Sequence, residues 1–456
     1  MELINNNQVP EGYKKTEVGV IPEDWEVVPL KDLIDADRRI TYGIVVPGQH
    51  TSNGVPMIRA QDYSRGWVDI EDLYRVSPKI DESYKRSRVI PDDILLTIVG
   101  SVGNLAKVPS GFRNTNITQQ TARLAFNKKA FADFYFNILQ SKLGKNVILN
   151  YTKSGVQPSL NLSDVEKFNL PYPPLREQKA IAQTLSDVDA LIDELDKLIA
   201  KKRNIKTGTM QQLLTGKTRL PGFGEGKGYK KSAIGVIPED WEVDDLGKFI
   251  TEFRGGAPLK PSDFTNGGVK VLPKGAVVRG GFLKINDKDL QFCSKQYANH
   301  YGKNKINNTY IVVVLRDLVP SGPSIGLIVK IKKPEIYILA QGVYGFKTQG
   351  IIDEYLIQYS NSFPYRKLMN EIMVGSTQVH ITNTAFKAIK LPFPPLPQQK
   401  AIAQVLSDID TEITALEKRR AKTQAIKQGM MQELLTGRTR LKIEHPDDPI
   451  TKNSNG

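Results

Sequence analysis

Polar residues in two separate regions of the chain carry the pattern of a nucleic-acid reader. In the first half RAQDYSRG, FRNTNITQQTAR and YTKSGVQ supply Arg59, Gln61, Arg65, Arg113, Asn116, Gln119, Lys153, Ser154 and Gln157. In the second half FRGGAPLKPSD, VLPKGAVVRGG and VGSTQVH are the comparable stretches, and they supply Lys274, Arg279, Ser376, Thr377 and Gln378. Arg and Lys can grip phosphates or read the edge of guanine, while Asn and Gln can pair bidentately with adenine in the major groove. Any one such loop also reads as a plain solvated turn. Their combination in both halves points to double-stranded DNA.

Catalytic chemistry does not assemble in the same way. GFGEGKGYK, from Gly222, resembles a phosphate loop in composition but lacks its GxxxxGK[ST] spacing, and it reads as a linker. LPYPPL, from Leu170, lacks the Asn or Asp that precedes the Pro-Pro pair in adenine methyltransferases. Glu177-Gln178-Lys179 has the acid-x-Lys form of a metal-dependent nuclease, but the repeat of this block holds Gln398 in place of Glu177. Glu177 then reads as an acid at a helix N-terminus. Four scattered His give no zinc-ligand spacing, and the single cysteine, Cys293, reads as a small buried apolar residue. The expectation is a chain with no catalytic or metal-ligating residues, one that binds rather than catalyses.

Lys and Arg total 63 against 49 Asp and Glu, a formal net charge of +14. A polyanionic partner suits that balance, although a basic surface without a nucleic-acid role would also account for it. The run YIVVVL, from Tyr310, is cut by Arg316, far short of the ~20 residues of a membrane span. No membrane association is expected. The N-terminal stretch MELINNNQVPEGYKK has no apolar segment with a cleavage site, which suits a cytoplasmic protein.

The elements that must position these residues come in duplicate. GYKKTEVGVIPEDWEV, from Gly12, returns as GYKKSAIGVIPEDWEV, from Gly228. LPYPPLREQKAIAQTLSDVD, from Leu170, returns as LPFPPLPQQKAIAQVLSDID, from Leu391, and MQQLLTGKTRL as MQELLTGRTRL. Between these blocks 28–169 and 244–390 share almost nothing. Each variable segment mixes short Val-, Ile- and Tyr-rich runs with turns, then a helical stretch near 130–149 or 353–374, which predicts α+β domains. Trp25 and Trp241, in the repeated opening block, read as core anchors.

The second shared block predicts long helices. Ile181, Leu185, Val188, Ile192, Leu195 and Ile199 recur at alternating spacings of four and three, as do Ile402, Leu406, Ile409, Ile413 and Leu416. That is a coiled-coil seam, interrupted at Arg420; the alternative is two amphipathic helices each buried on its own domain. The Pro-Pro pairs before Leu175 and Leu396 suit helix starts, and Gly216 and Gly437 suit stops. In each helix the acidic residues lead, as in Asp187, Asp189 and Asp193 or Asp408, Asp410 and Glu412. The basic residues follow, as in Lys202, Arg203 and Lys206 or Lys418, Arg419 and Lys427. An antiparallel pair sets each acidic half against a basic half, whereas a parallel pair stacks like charges. The expectation is an antiparallel pair forming a rod roughly 50 Å long with a variable domain at either end.

On these blocks and their order, the chain resembles the specificity subunits of type I DNA restriction-modification systems. The resemblance implies an α+β fold with two α/β target-recognition domains separated by two long conserved helices in an antiparallel coiled coil, a pseudo-twofold internal repeat. The divisions would be a recognition domain at 1–170, a spacer helix at 171–216, a linker at 217–228, a recognition domain at 229–391, a spacer helix at 392–437 and a polar tail at 438–456. It further implies that each domain reads one half of an asymmetric bipartite target and that the helices set the unread spacer. The implied partners are two modification (methyltransferase) subunits and two restriction (translocase/nuclease) subunits. S-adenosylmethionine, ATP and Mg would sit on those partners and no cofactor on this chain. A stand-alone bipartite DNA-binding regulator is the alternative.

Overall fold

The computed structural model describes residues 9–153, 155–285, 290–317, 322–375 and 378–442. The chain folds as two compact units, one formed by Met1–Glu194 with Arg420–Gly456 and the other by Leu195–Arg419. The N-terminal unit is therefore completed by the C-terminal segment.

In the first unit a hairpin of Tyr13–Thr16 and Gly19–Pro22 opens the chain, and Glu26–Pro29 pairs antiparallel with Asn169–Tyr172, so the ends of the variable segment meet. Between them lies an antiparallel sheet in the order Thr41–Tyr42, Thr121–Leu124, Ile94–Thr97, Leu105–Lys107. A second sheet joins Tyr74–Val76, Val55–Ile58 and Asn116–Ile117, the last two strands running parallel. Alternate residues of a strand face opposite sides. The unbroken run Ile94-Leu95-Leu96 is apolar because both its faces are covered: Ile94 and Leu96 pack with Phe134 and Ile138, Leu95 with Ile58 and Ile117.

The second unit repeats this plan with different residues. Its hairpin is Tyr229–Ser232 with Gly235–Pro238, and Glu242–Asp245 pairs with Lys390–Phe393. The antiparallel sheet runs Ile250–Arg254, Val343–Thr348, Ile311–Val314, Ile328–Lys330, and the other sheet again holds one parallel pair, Val269–Leu272 with Tyr337–Leu339. Ile311 and Val313 enter one core while Val312 and Val314 enter the other. Cys293 is fully buried beside Val271 and Ile338. The helical stretch expected in each variable segment is two helices, Ala132–Gln140 and Lys142–Tyr151, or Asp353–Ser360 and Phe363–Ile372. The breaks fall at Ser141 and Ser362, whose hydroxyls accept from the N–H of Gly144 and Tyr365 and start a new helix.

Two helices of 39 residues each, Leu175–Leu213 and Leu396–Leu434, follow the Pro-Pro pairs as expected. Both helices contribute to both units, each passing from one to the other part-way along its length. In the first unit Ile181, Ala182 and Leu185 share a core with Met431, Leu434 and Leu435. In the second, Ile402, Ala403 and Leu406 share one with Met210, Leu213 and Leu214. Leu195, Ile199 and Ile413 are buried, and Val188, Ile192, Ile409 and Leu416 half-buried. The ion pairs fix the direction: in the second unit Lys202 meets Glu412 at 2.5 Å and Lys206 meets Asp410 at 2.7 Å, an antiparallel order. In the first unit Lys427 meets Asp189 at 2.5 Å. Both readings of the seam hold together, because the helices pair with each other while their N-terminal halves also pack on the domain that precedes them.

The segments expected as linker and tail both begin in packed structure. Gly216 and Gly437 end the helices at φ +70° and +68°, and a β-carbon at either would lie 2.5 Å from a proline ring, that of Pro238 or Pro22 respectively. Tyr229 Oη donates to Gly216 O and Tyr13 Oη to Gly437 O, both at 3.1 Å. Leu220 packs on the core of the second unit and Leu441 on that of the first. The residues just after each helix are thus core-docked parts of a unit, since the apolar and arginine positions of TRL find partners there. The remaining tail calls from 443 onward fall outside the described residues.

Candidate nucleic-acid interface

Each unit gathers the ends of its strands into one loop-built face, and the backbone hydrogen bonds that hold it are the same in both. In the first unit Ile44 N–H donates to Ile117 O, Thr118 N–H to Ile58 O, Ile98 N–H to Gln120 O and Leu160 N–H to Ile98 O. In the second, Ala257 donates to Leu339, Ala340 to Leu272, Leu315 to Gly342 and Ile381 to Leu315. Gly43 and Gly256 hold matching places: a β-carbon there would lie 1.8 Å from Ile117 O or 1.9 Å from Ala340 O, so only glycine lets the strands approach.

On the first unit this face encloses a recess of about 650 Å³ that brings Arg59, Gln61 and Gln119 together with Ser101, Asn104 and Gln120. Gln157 flanks it: a β-carbon on Gly100, which also lines the recess, would sit 3.6 Å from Gln157 Nε2. Gln61, Gln119, Lys153 and Gln157 are exposed. Arg59 is partly committed, its guanidinium 2.9 Å from the buried carboxylate of Asp62 and its N–H donating to the same group at 2.8 Å. Arg65 and Arg113 are exposed on loops adjoining the packed rings of Trp67 and Phe112, whose centroids are 4.9 Å apart.

Asn116 is a correction. It is fully buried, with Nδ2 donating to Asp81 Oδ1 at 2.8 Å while Oδ1 accepts from Ser87 Oγ at 2.7 Å and from Ile117 N–H at 2.9 Å. Both ends of the amide are spent inside the domain, which leaves nothing for a base. Ser154, Ser376 and Thr377 lie outside the described residues.

On the second unit Lys274 is half-buried and Arg279 and Gln378 are exposed. Lys274 Cε and Arg316 Cβ both lie 3.0 Å from where a β-carbon on Gly342 would stand, so Lys274 and Arg316 flank one turn of this face. Arg316 is also opposite His380 in a short antiparallel pair next to Gln378. Ser101, Asn104 and Arg316 escaped the sequence reading, and Gln120 and His380 lie in its quoted loops without having been singled out. The signal that could have found some of them is a glutamine just before a buried strand in both halves, TQQTARL and AQGVYGF.

Behind each face the repeated opening block is anchored to a long helix. Trp25 Nε1–H donates to Glu177 Oε2 at 3.0 Å, and Trp241 Nε1–H to Gln398 Oε1 at 3.0 Å. Both indoles are fully buried, as expected of core anchors. Arg440 reaches Glu177 at 2.6 Å and Asp24 at 2.8 Å; Arg219 reaches Asp240 and Gln398 at 2.8 and 2.9 Å. Glu177 is thus a buried acceptor and ion-pair partner. Hydrogen bonds from the paired guanidinium hold the carboxyls of Asp24 and Asp240 below the ordinary aspartate range.

Fold and faces together define a duplicated protein in which each of two units presents a loop-built face and takes part of two long helices. The chain belongs to the type I restriction-modification DNA specificity domain family, whose model matches it twice, over residues 22–206 and 238–428. The MjaVIII type I restriction enzyme specificity subunit of Methanocaldococcus jannaschii is 31% identical over 97% of this chain and 99% of that protein. A crystal structure of the S subunit of a type I restriction-modification system from M. genitalium has the same fold at TM-score 0.53 and 15% identity, covering 95% of this chain and 98% of that one. A chain from a study of complex assembly and conformational transition in a type I R-M system matches at TM-score 0.54 and 16% identity, covering 92% and 99%. The chain is a specificity subunit, a targeting and not a catalytic component.

Proposed function

We propose that each face reads one block of an asymmetric, bipartite duplex target, and that the two long helices set the number of unread base pairs between the blocks. The observation that carries this reading is that the two faces share one backbone frame, down to Gly43 and Gly256, while their exposed side chains differ. A conserved frame with divergent polar tips is what two readers of different sequence require. The chain would act in the cytoplasm within a complex holding two modification subunits and two restriction subunits. S-adenosylmethionine, ATP and Mg would be bound by those partners. Support comes from family membership and from the type I R-M chain, of like fold, described for its complex assembly.

The test is methylation mapping of DNA from a host carrying this chain with its neighbouring methyltransferase subunit, against the same host lacking this chain. A methylated adenine motif split into two blocks by a fixed spacer, lost with the chain, is the expected result. Sequence-specific binding by the purified chain alone, with methylation unchanged, would replace this reading with a stand-alone regulator.

A further inference from the structure

A second recess on the first unit, of about 550 Å³, shares no lining residue with the first; its charged walls are Arg38, Arg39, Lys85, Arg86, Arg88 and Arg123, with Asp37 the one carboxylate among its lining residues. Much of that charge is compensated. Arg38 pairs with Asp93 at 2.5 Å, Arg88 with Asp81 at 2.5 Å and Glu82 at 2.7 Å, and Lys85 with Glu82 at 3.4 Å. Arg39 and Arg86 are exposed and have no ion-pair partner among the described residues. Arg123 is 3% exposed, and its Nη atoms donate to the carbonyls of Arg86, Arg88 and Arg39 at 2.6, 2.9 and 3.0 Å, while its buried Nε has no partner. One buried guanidinium therefore ties together the two segments that carry the free ones. Burial, and then the charge of Arg38, press against the protonated state of Arg123, and a nearby anion would offset the like charge.

Among the described residues of the second unit, the buried arginine at the centre of this site has no equivalent. The strand place of Arg123, opposite Leu95, is held there by Gly345, opposite Val312. Arg254, on the neighbouring strand beside Gly345, is paired with Glu252, which also takes Lys347 at 2.9 Å. A hydrogen bond from Tyr310, with those from Lys347 and Arg254, lowers the carboxyl of Glu252 to about 2, so both cations here share one ionised carboxylate.

We infer that the recess of Arg39, Arg86 and Arg123 is a phosphate cradle that grips the DNA backbone beside the block read by the first unit, and that the second unit has no counterpart. The inference rests on the bipartite reading above. Residues 36–41 line the cradle and residues 44–47 the reading recess, so about three extended residues, or about 10 Å, separate them. At 3.4 Å per step along a strand, the gripped phosphate lies about three base pairs from the read block. Arginine supplies the planar donors that phosphate oxygens take.

The test uses the full chain in complex with its methyltransferase subunits and a duplex carrying the mapped motif, each phosphate in turn replaced by an uncharged methylphosphonate. Wild type is expected to lose about tenfold in affinity at one or two positions flanking one half-site, the half-site whose reading Q119A alters. R39A/R86A, which leaves the buried Arg123 in place, should ignore those replacements and flatten the salt dependence by about two phosphate contacts, with sequence preference kept. A variant as sensitive as wild type to those replacements overturns the cradle, and so does equal phosphate sensitivity beside both half-sites. Loss of the methyltransferase subunits with an unchanged salt slope would also overturn it, making the recess a protein contact. Wild type showing no sequence-specific binding at all would remove the bipartite reading and the cradle with it.

Discussion

Trp25 and Trp241 donate the same indole hydrogen bond into two electrical settings. In the first unit the acceptor is a carboxylate whose oxygens are shared with Arg440; in the second it is the neutral amide of Gln398, shared with Arg219. Removing Arg440 strands the buried carboxylate of Glu177 and removing Arg219 strands the well-covered carboxylate of Asp240, so R440A and R219A should each cost about 2 kcal/mol. E177Q should be milder than R440A, because its amide oxygen can still accept from the indole as Gln398 does. Urea unfolding followed by tryptophan fluorescence measures all three. The depressed carboxyl of Asp24 adds a pH signature: its stabilisation is present above the unfolded value near 3.9 and fades as pH falls through the lower folded value. R440A should therefore flatten the acid side of the stability profile. On the reading faces, Q61A, Q119A and Q157A should each relax discrimination by about 1–3 kcal/mol at one half-site and Q378A at the other. Binding to duplexes with single base changes checks this, and unchanged preferences would take a residue off the face. Asn116 shows why residue type alone misleads. An asparagine among threonines and glutamines looks like a reader until the fold buries its amide.

At the scale of the helices, charge order in the sequence was enough to choose their direction. Four contacts, Asp189 with Lys427, Glu412 with Lys202, Asp410 with Lys206 and Glu417 with Arg203, join the leading acidic stretch of one helix to the following basic stretch of the other. Arg203 and Glu417 are well exposed and contribute little. The better-covered pair is Lys206 with Asp410, which also accepts from Gln358 Nε2 at 3.0 Å. K206E should destabilise by about 1 kcal/mol, and K206E/D410K should recover a part that a double-mutant cycle isolates. A cycle with no coupling would mean that the apolar seam alone aligns the helices. Met210, Leu213 and Leu214 and their repeats were quoted in the sequence as a motif but not seen as core. Their burial depends on the facing helix and domain, which spacing within one helix does not reveal.

At the scale of the whole molecule, a deletion of Ala182–Val188 would be the first thought for testing the spacer, but Ala182 and Leu185 belong to the core of the first unit. Lys197–Arg203 and Ile413–Arg419 serve better, since Lys202 with Glu412 and Arg203 with Glu417 show these stretches to be opposed. Deleting both heptads shortens each helix by about 10 Å and should shorten the methylated motif's spacer by about three base pairs, with the half-sites unchanged. Altered half-sites with an unaltered spacer would contradict the role given to the helices.

Duplication, the long helices, their antiparallel sense and the family were all legible in the chain, because identical blocks, heptad spacing and charge order are written in sequence neighbours. The shared topology of the two variable segments was not legible, since their residues differ almost throughout and only strand pairing relates them. Nor was the closure of each unit by the TRL that follows a long helix. Arg440 meets Asp24 across more than four hundred residues, and no local pattern encodes such a partner. Which polar residues face outward was likewise decided by tertiary structure: Gln119 and Asn116 are three residues apart, and burial makes one an exposed tip and the other a structural bond.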